Sequence, residues 1–181
     1  IYANSNKLLE LRDSVNKYYY TFNLKGLKNT LNEIEQYNNK EKNNYYGFYY
    51  NGIIRYCIGR VVYNTNRDVA YNYFDTALNM FEKAYEIEKN PVSLAMISAS
   101  LGKKAALSPL KSLYFGQISK NKIYEANNLS PNNPKILLVA ATHLMHIPAI
   151  YGGDKKKARL LLEKCLELNK KENIKNEYEL D

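Results

Sequence analysis

His143 and His146 stand three residues apart in a stretch with helical apolar spacing. On one face of a helix such a pair can approach within about 5–6 Å, the start of a two-histidine metal site. No third or fourth ligand lies nearby in the sequence, so the pair is expected to sit at a packed boundary and hold no metal. Cys57 and Cys165 raise a second possibility, because a thiolate is a strong nucleophile when a histidine and an orienting acid are brought to it. Each cysteine instead falls in an apolar helical pattern, without CxxC spacing, and both are expected as buried thiols. The run Tyr151-Gly152-Gly153-Asp154-Lys155-Lys156-Lys157 has the composition of a phosphate-binding loop. It lacks the GxxxxGK[ST] spacing and follows a helical pattern, not a strand, so Asp154 is expected to cap the next helix. No catalytic residue, metal or cofactor is therefore expected, and the chain reads as a binding protein and not an enzyme.

Recognition chemistry is better represented, since the chain has 18 tyrosines. A tyrosine offers a large apolar face with a hydroxyl at its tip, which suits a binding groove. Tyr46, Tyr49 and Tyr50 fall on one helical face, with Tyr45 turned about 100° from Tyr46. These three are candidate binding residues, together with Lys111, Tyr114, His146 and Tyr151, which lie in or beside two long apolar turns.

The elements that must position these residues repeat along the chain. Ala77, Phe81 and Ala84 place a small, a large and a small residue on one helical face, followed by Asn90-Pro91. The spacing recurs at Ser119, Ile123 and Ala126 before Pro131 and Pro134, and at Ala158, Leu162 and Cys165. Small residues let a neighbouring helix approach while the large one fills the gap, and proline then stops the helix. An apolar partner helix precedes each: the Tyr-rich stretch Tyr45 to Val62, then Val92 to Leu107, then Pro134 to Ile147. An atypical pair, Asn6 to Phe22 and Leu24 to Asn38, opens the chain as a capping unit would. The expected organisation is one domain over 1–181, with a capping pair at 1–42, repeats at 43–91, 92–133 and 134–169, and a polar tail at 170–181. Between corresponding positions the period is 42 and then 39 residues (77 to 119, 119 to 158). The surplus is expected in the turns Ser108 to Gly116 and Ile147 to Asp154, where function commonly resides.

The small-large-small helix followed by proline resembles the second helix of a tetratricopeptide (TPR) unit, whose usual period is about 34 residues. The segment from Asn90 to Asn169, with SPLKSLYFG, NPKILL and PAIYGGDKKKA, is similar to an often exported group of bacterial TPR proteins with a Pro-x-x-x-Gly-Gly turn before the last repeat helix. Here Pro148, Gly152 and Gly153 match that turn; the absence of Trp and the residues Ser119, Ile123 and Cys165 depart from the general TPR pattern. The resemblance implies an all-α, right-handed α-solenoid of about four helix pairs. It implies recognition of a peptide, protein segment or partner protein through a helical groove and the long turns. A more distant resemblance, to periplasmic TPR-like components of solute transporters, implies a small-solute accessory as the alternative.

Charge and length set the remaining bounds. The net charge of +8 divides unevenly: 12 basic against 10 acidic residues over 1–90, 6 against 2 over 91–154, and 8 against 6 over 155–181. Only the middle block is locally basic, which fits a solvated helix surface better than a nucleic-acid site. A chain of this length buries roughly 70% of its unfolded surface, enough for a core without staples. No apolar run reaches the roughly 20 residues of a membrane-spanning helix. Ile1-Tyr2-Ala3 before Asn4 suits the tail of a cleaved secretory signal, so a periplasmic or otherwise exported location is favoured.

Overall fold

Asparagine starts most of the helices. In the computed structural model, which describes residues 2–171, Asn23 precedes α2 (Leu24–Lys40), Asn44 precedes α3 (Tyr45–Val62) and Asn66 precedes α4 (Arg67–Ile87). Asn90 precedes α5 (Pro91–Leu107), and Asn133 precedes α7 (Pro134–His146). In all five the side-chain oxygen accepts a backbone N–H from the first turn, at Gly26, Gly47, Val69, Val92 and Lys135 respectively. Asp154 does the same for α8 (Lys155–Lys171), accepting the Lys157 N–H at 2.9 Å as the sequence leads one to expect. Each cap satisfies a donor that the helix itself leaves open, typically worth about 1 kcal/mol. With α1 (Tyr2–Tyr20) and α6 (Ser112–Leu129), the described residues hold eight α-helices and no strand, packed in adjacent pairs. The protein is all-α.

Two compact units divide the chain, α1 to α4 in the first and α5 to α8 in the second. The division at Lys89–Asn90 falls beside the boundary expected between the repeats at 43–91 and 92–133.

In the first unit α3 is the central element, packed by α1, α2 and α4. Leu11, Val15, Leu27, Ile34, Ile54 and Ile58 are buried around it. The α3–α4 contact is close because two glycines meet two rings. A Cβ at Gly52 would lie 2.6 Å from the Phe81 ring, and one at Gly59 would lie 2.8 Å from the Phe74 ring. Phe74 and Phe81 are both fully buried.

In the second unit α5 pairs with α6, α7 pairs with α8, and α7 also packs on α5 and α6. Ser119, Ile123 and Ala126 are buried on α6, and Ala158 and Cys165 on α8, where Leu162 is partly buried against Ala141, Leu144 and Ala158. Ala77, Phe81 and Ala84 occupy the same kind of face on α4, at 0% exposure. The small-large-small spacing therefore marks a packing face in three helices.

The first of the two long turns is shorter than expected. Ser108 leads into a single 3₁₀ turn, Pro109–Lys111, and α6 begins at Ser112, so Gly116 lies inside the helix and does not end a loop. A helical glycine costs only about 1 kcal/mol relative to alanine, which the packed remainder of α6 outweighs. Much of the lengthened period is helix. The second turn does form: Ala149–Tyr151 is 3₁₀, and Gly152 takes φ 95°, where a side chain would be strained. Of the polar tail expected at 170–181, residues 172–181 lie outside the described residues.

Candidate functional site

Ser98 on α5, Ser119 on α6 and His143 on α7 bring three polar side chains into the interior of the second unit. Ser98 and Ser119 are each 1% exposed. The Ser98 hydroxyl donates to the Ser119 carbonyl at 2.8 Å, and the Ser119 hydroxyl donates to the Ser98 carbonyl at 2.9 Å. The two hydroxyls also lie 3.0 Å apart, so the serines form a reciprocal clasp between neighbouring helices.

His143 Nδ1 lies 3.3 Å from Ser119 Oγ. The Ser119 hydroxyl lies within hydrogen-bond distance of the Ser98 carbonyl, the Ser98 hydroxyl and His143 Nδ1, so it can donate to the imidazole or accept from it according to the tautomer. His143 Nε2 is buried and without a hydrogen-bond partner. The Asn127 amide oxygen on α6 is also buried and without a partner. Both residues line a cleft of about 190 Å³ between α6, α7 and α8, with Ile123, Ala140, Leu144 and Leu161 as its apolar wall and Tyr124, Asn128 and Lys157 as further polar lining. Burial and the nearby Lys120 charge hold His143 below its usual pKa, because both disfavour an imidazolium there.

A serine beside a histidine invites comparison with a nucleophile–base pair, but the Ser119 hydroxyl is enclosed in the α5–α6 contact at 1% exposure. Cys57 is no better placed as a nucleophile: burial pushes its thiol up to about 12, only partly offset by Arg60. At neutral pH its thiolate fraction is of order one in 10⁵. Among the described residues, no three His, Cys, Asp or Glu side chains gather closely enough to hold a metal. The two histidines do not converge either. His143 faces Ser119, whereas the exposed His146 sets its Nδ1 2.8 Å from the Thr142 carbonyl one turn back.

The residues marked in sequence for a groove are scattered. Tyr49 and Tyr50 are 2% and 0% exposed and belong to the core of the first unit, correcting the expectation that they line a groove. Helices on three sides of α3 remove from solvent the face that an isolated helix would present. Tyr49 packs on Phe81 with centroids 5.9 Å apart, and the half-buried Tyr46 stacks on Tyr50 at 6.4 Å. Lys111, Tyr114, His146 and Tyr151 are exposed in the second unit, outside the cleft. Asn127 and the role of Ser119 escaped sequence reasoning. One signal was available: Ser119 is the polar member of a position filled by Ala77 and Ala158 elsewhere.

Compared with known proteins, the chain matches no protein-family model, and no curated sequence is significantly similar to it. The function must be argued from the geometry.

Proposed function

We propose that this chain is a non-catalytic, TPR-like binding scaffold, and that the cleft between α6, α7 and α8 receives a side chain from a peptide or protein partner. The observation that carries the reading is the pair of buried polar atoms without partners, His143 Nε2 and Asn127 Oδ1, in one partly apolar cleft. Leaving a buried polar atom unsatisfied costs roughly 1–3 kcal/mol, so a donor group arriving there recovers that cost. Size favours a side chain over a whole cofactor. The cleft of about 190 Å³ lies below the roughly 300–1,000 Å³ usual for small-molecule sites. A carboxamide fits the chemistry, since it carries both donors and an acceptor. The alternative of a transport accessory with a tyrosine-lined solute cavity has less support, because one tyrosine, Tyr124, lines this cleft.

A displayed peptide library screened against the full chain tests the reading. The expected result is a consensus built on one donor-bearing polar side chain, with affinity falling roughly tenfold for Asn127→Ala and for His143→Ala. A library without a consensus, or a peptide whose affinity neither substitution changes, overturns it.

A further inference from the structure

Five large apolar side chains stand in water at one end of the second unit. Leu110 is 101% exposed, Leu113 68% and Tyr114 65%, all at the α5–α6 turn; Ile150 is 83% exposed and Tyr151 53%, in the α7–α8 turn. The two turns share that end because α6 runs back antiparallel between α5 and α7, as the short connections require. The second turn lies against α6: the Lys120 ammonium stands 3.4 Å from where a Cβ on Gly152 would be.

Charge accompanies the apolar tips. Lys111 lies within the first turn, and Lys155, Lys156 and Lys157 directly follow the second, all exposed. The acid beside them is Asp154, whose carboxylate is occupied in capping α8.

We propose that this end of the unit docks on an anionic phospholipid bilayer, with the tips of both turns entering the interface and the lysines lying against the headgroups. Leucine, isoleucine and tyrosine beside lysine are the side chains that an interfacial site uses. Their degree of exposure favours a bilayer over a folded partner. A side chain at full exposure stands clear of any groove, so a protein would have to supply a pocket around each tip, whereas fluid acyl chains close around it without one. Opposite charge supplies the rest, since each lysine near an anionic leaflet strengthens binding roughly fivefold. The apolar tips lie outside the cleft between α6, α7 and α8, which shares Lys157 alone with this patch.

Sedimentation of the full chain with vesicles of phosphatidylcholine, alone or mixed with phosphatidylglycerol, tests it. Binding is expected to the mixed vesicles, weakening as salt rises. Leu110→Ser combined with Ile150→Ser should lower it roughly tenfold or more, from two apolar side chains withdrawn from the interface. Lys111→Gln with Lys155→Gln and Lys156→Gln should do the same, while Leu160→Ser with Leu166→Ser, exposed elsewhere on α8, should not. The chain has no tryptophan, so Ile150→Trp provides a single fluorophore whose emission should shift to the blue on the mixed vesicles. Absence of binding to mixed vesicles, equal binding to neutral ones, binding unaffected by the turn substitutions, or an unshifted emission from the Ile150→Trp variant overturns the proposal, and capture of the turns by a protein in place of lipid counts among those failures. Because the substituted side chains are exposed, thermal melting should confirm that every variant folds.

Discussion

Ser119 Oγ stands 3.3 Å from His143 Nδ1 on α7 and 2.9 Å from the Ser98 carbonyl on α5, so one hydroxyl ties α5, α6 and α7 together.

Ser119→Ala should destabilise the protein by about 1–3 kcal/mol, because it removes the buried hydroxyl that partners Ser98 and leaves His143 Nδ1 without its partner. Alanine already fills the matching positions 77 and 158, each at 0% exposure, so the change brings no packing penalty of its own. Denaturant titration measures the loss, and stability unchanged from wild type would refute the role of the hydroxyl.

Acid should weaken the fold through the same residue. The folded-state pKa of His143 lies below the ordinary 6.5, so below that pH the unfolded chain binds a proton that the folded chain resists. The stabilising contribution is therefore present above pH 6.5 and is lost as pH falls through the lower folded value. Comparing denaturant midpoints of wild type and His143→Asn across this window isolates the effect. Parallel curves would contradict it.

Alkali acts on the first unit in the opposite sense. Burial raises the Cys57 thiol from 9.0 to about 12 and the Tyr56 hydroxyl from 10.0 to about 12. Both groups lose their protons first in the unfolded chain, so stability holds below pH 9.0 and is lost between there and about 12. At mildly alkaline pH iodoacetamide should modify Cys57 slowly in the native protein and at least roughly a hundredfold faster in urea. Cys57 is half-buried, and native labelling as fast as in urea would contradict its raised pKa.

Glycines in two helices should respond with opposite sign. Gly116 in α6 has nothing within 4 Å of where an added methyl would lie, so Gly116→Ala should stabilise by roughly 0.5–1 kcal/mol through helix propensity alone. Gly52→Ala drives a methyl to 2.6 Å from the buried Phe81 ring and should destabilise by about 1–3 kcal/mol. Thermal melts of the two variants decide it, and shifts of the same sign would mean that the α3–α4 contact is looser than described.

Much of the architecture could be read from residue order. Helix identity followed from apolar periodicity, and boundaries such as Asn90-Pro91 and Asn133-Pro134 followed from caps and proline, because these signals act within a few residues of chain. The small-large-small triplet at 77, 81 and 84 marked a buried face for the same reason. The site was less legible. Tyr49 and Tyr50 looked like recognition residues on an isolated helix, and only the packing of α1, α2 and α4 around α3 made them core.

What the residue order determined by itself is an all-α chain whose helices are interrupted at proline and pack through small residues, since each of these is a local steric effect. What only the tertiary structure decided is which polar atoms meet. Ser98, Ser119 and His143 are 21 and 24 residues apart in succession, and no local rule aligns three helices so that two hydroxyls clasp and one imidazole nitrogen stays buried without a partner.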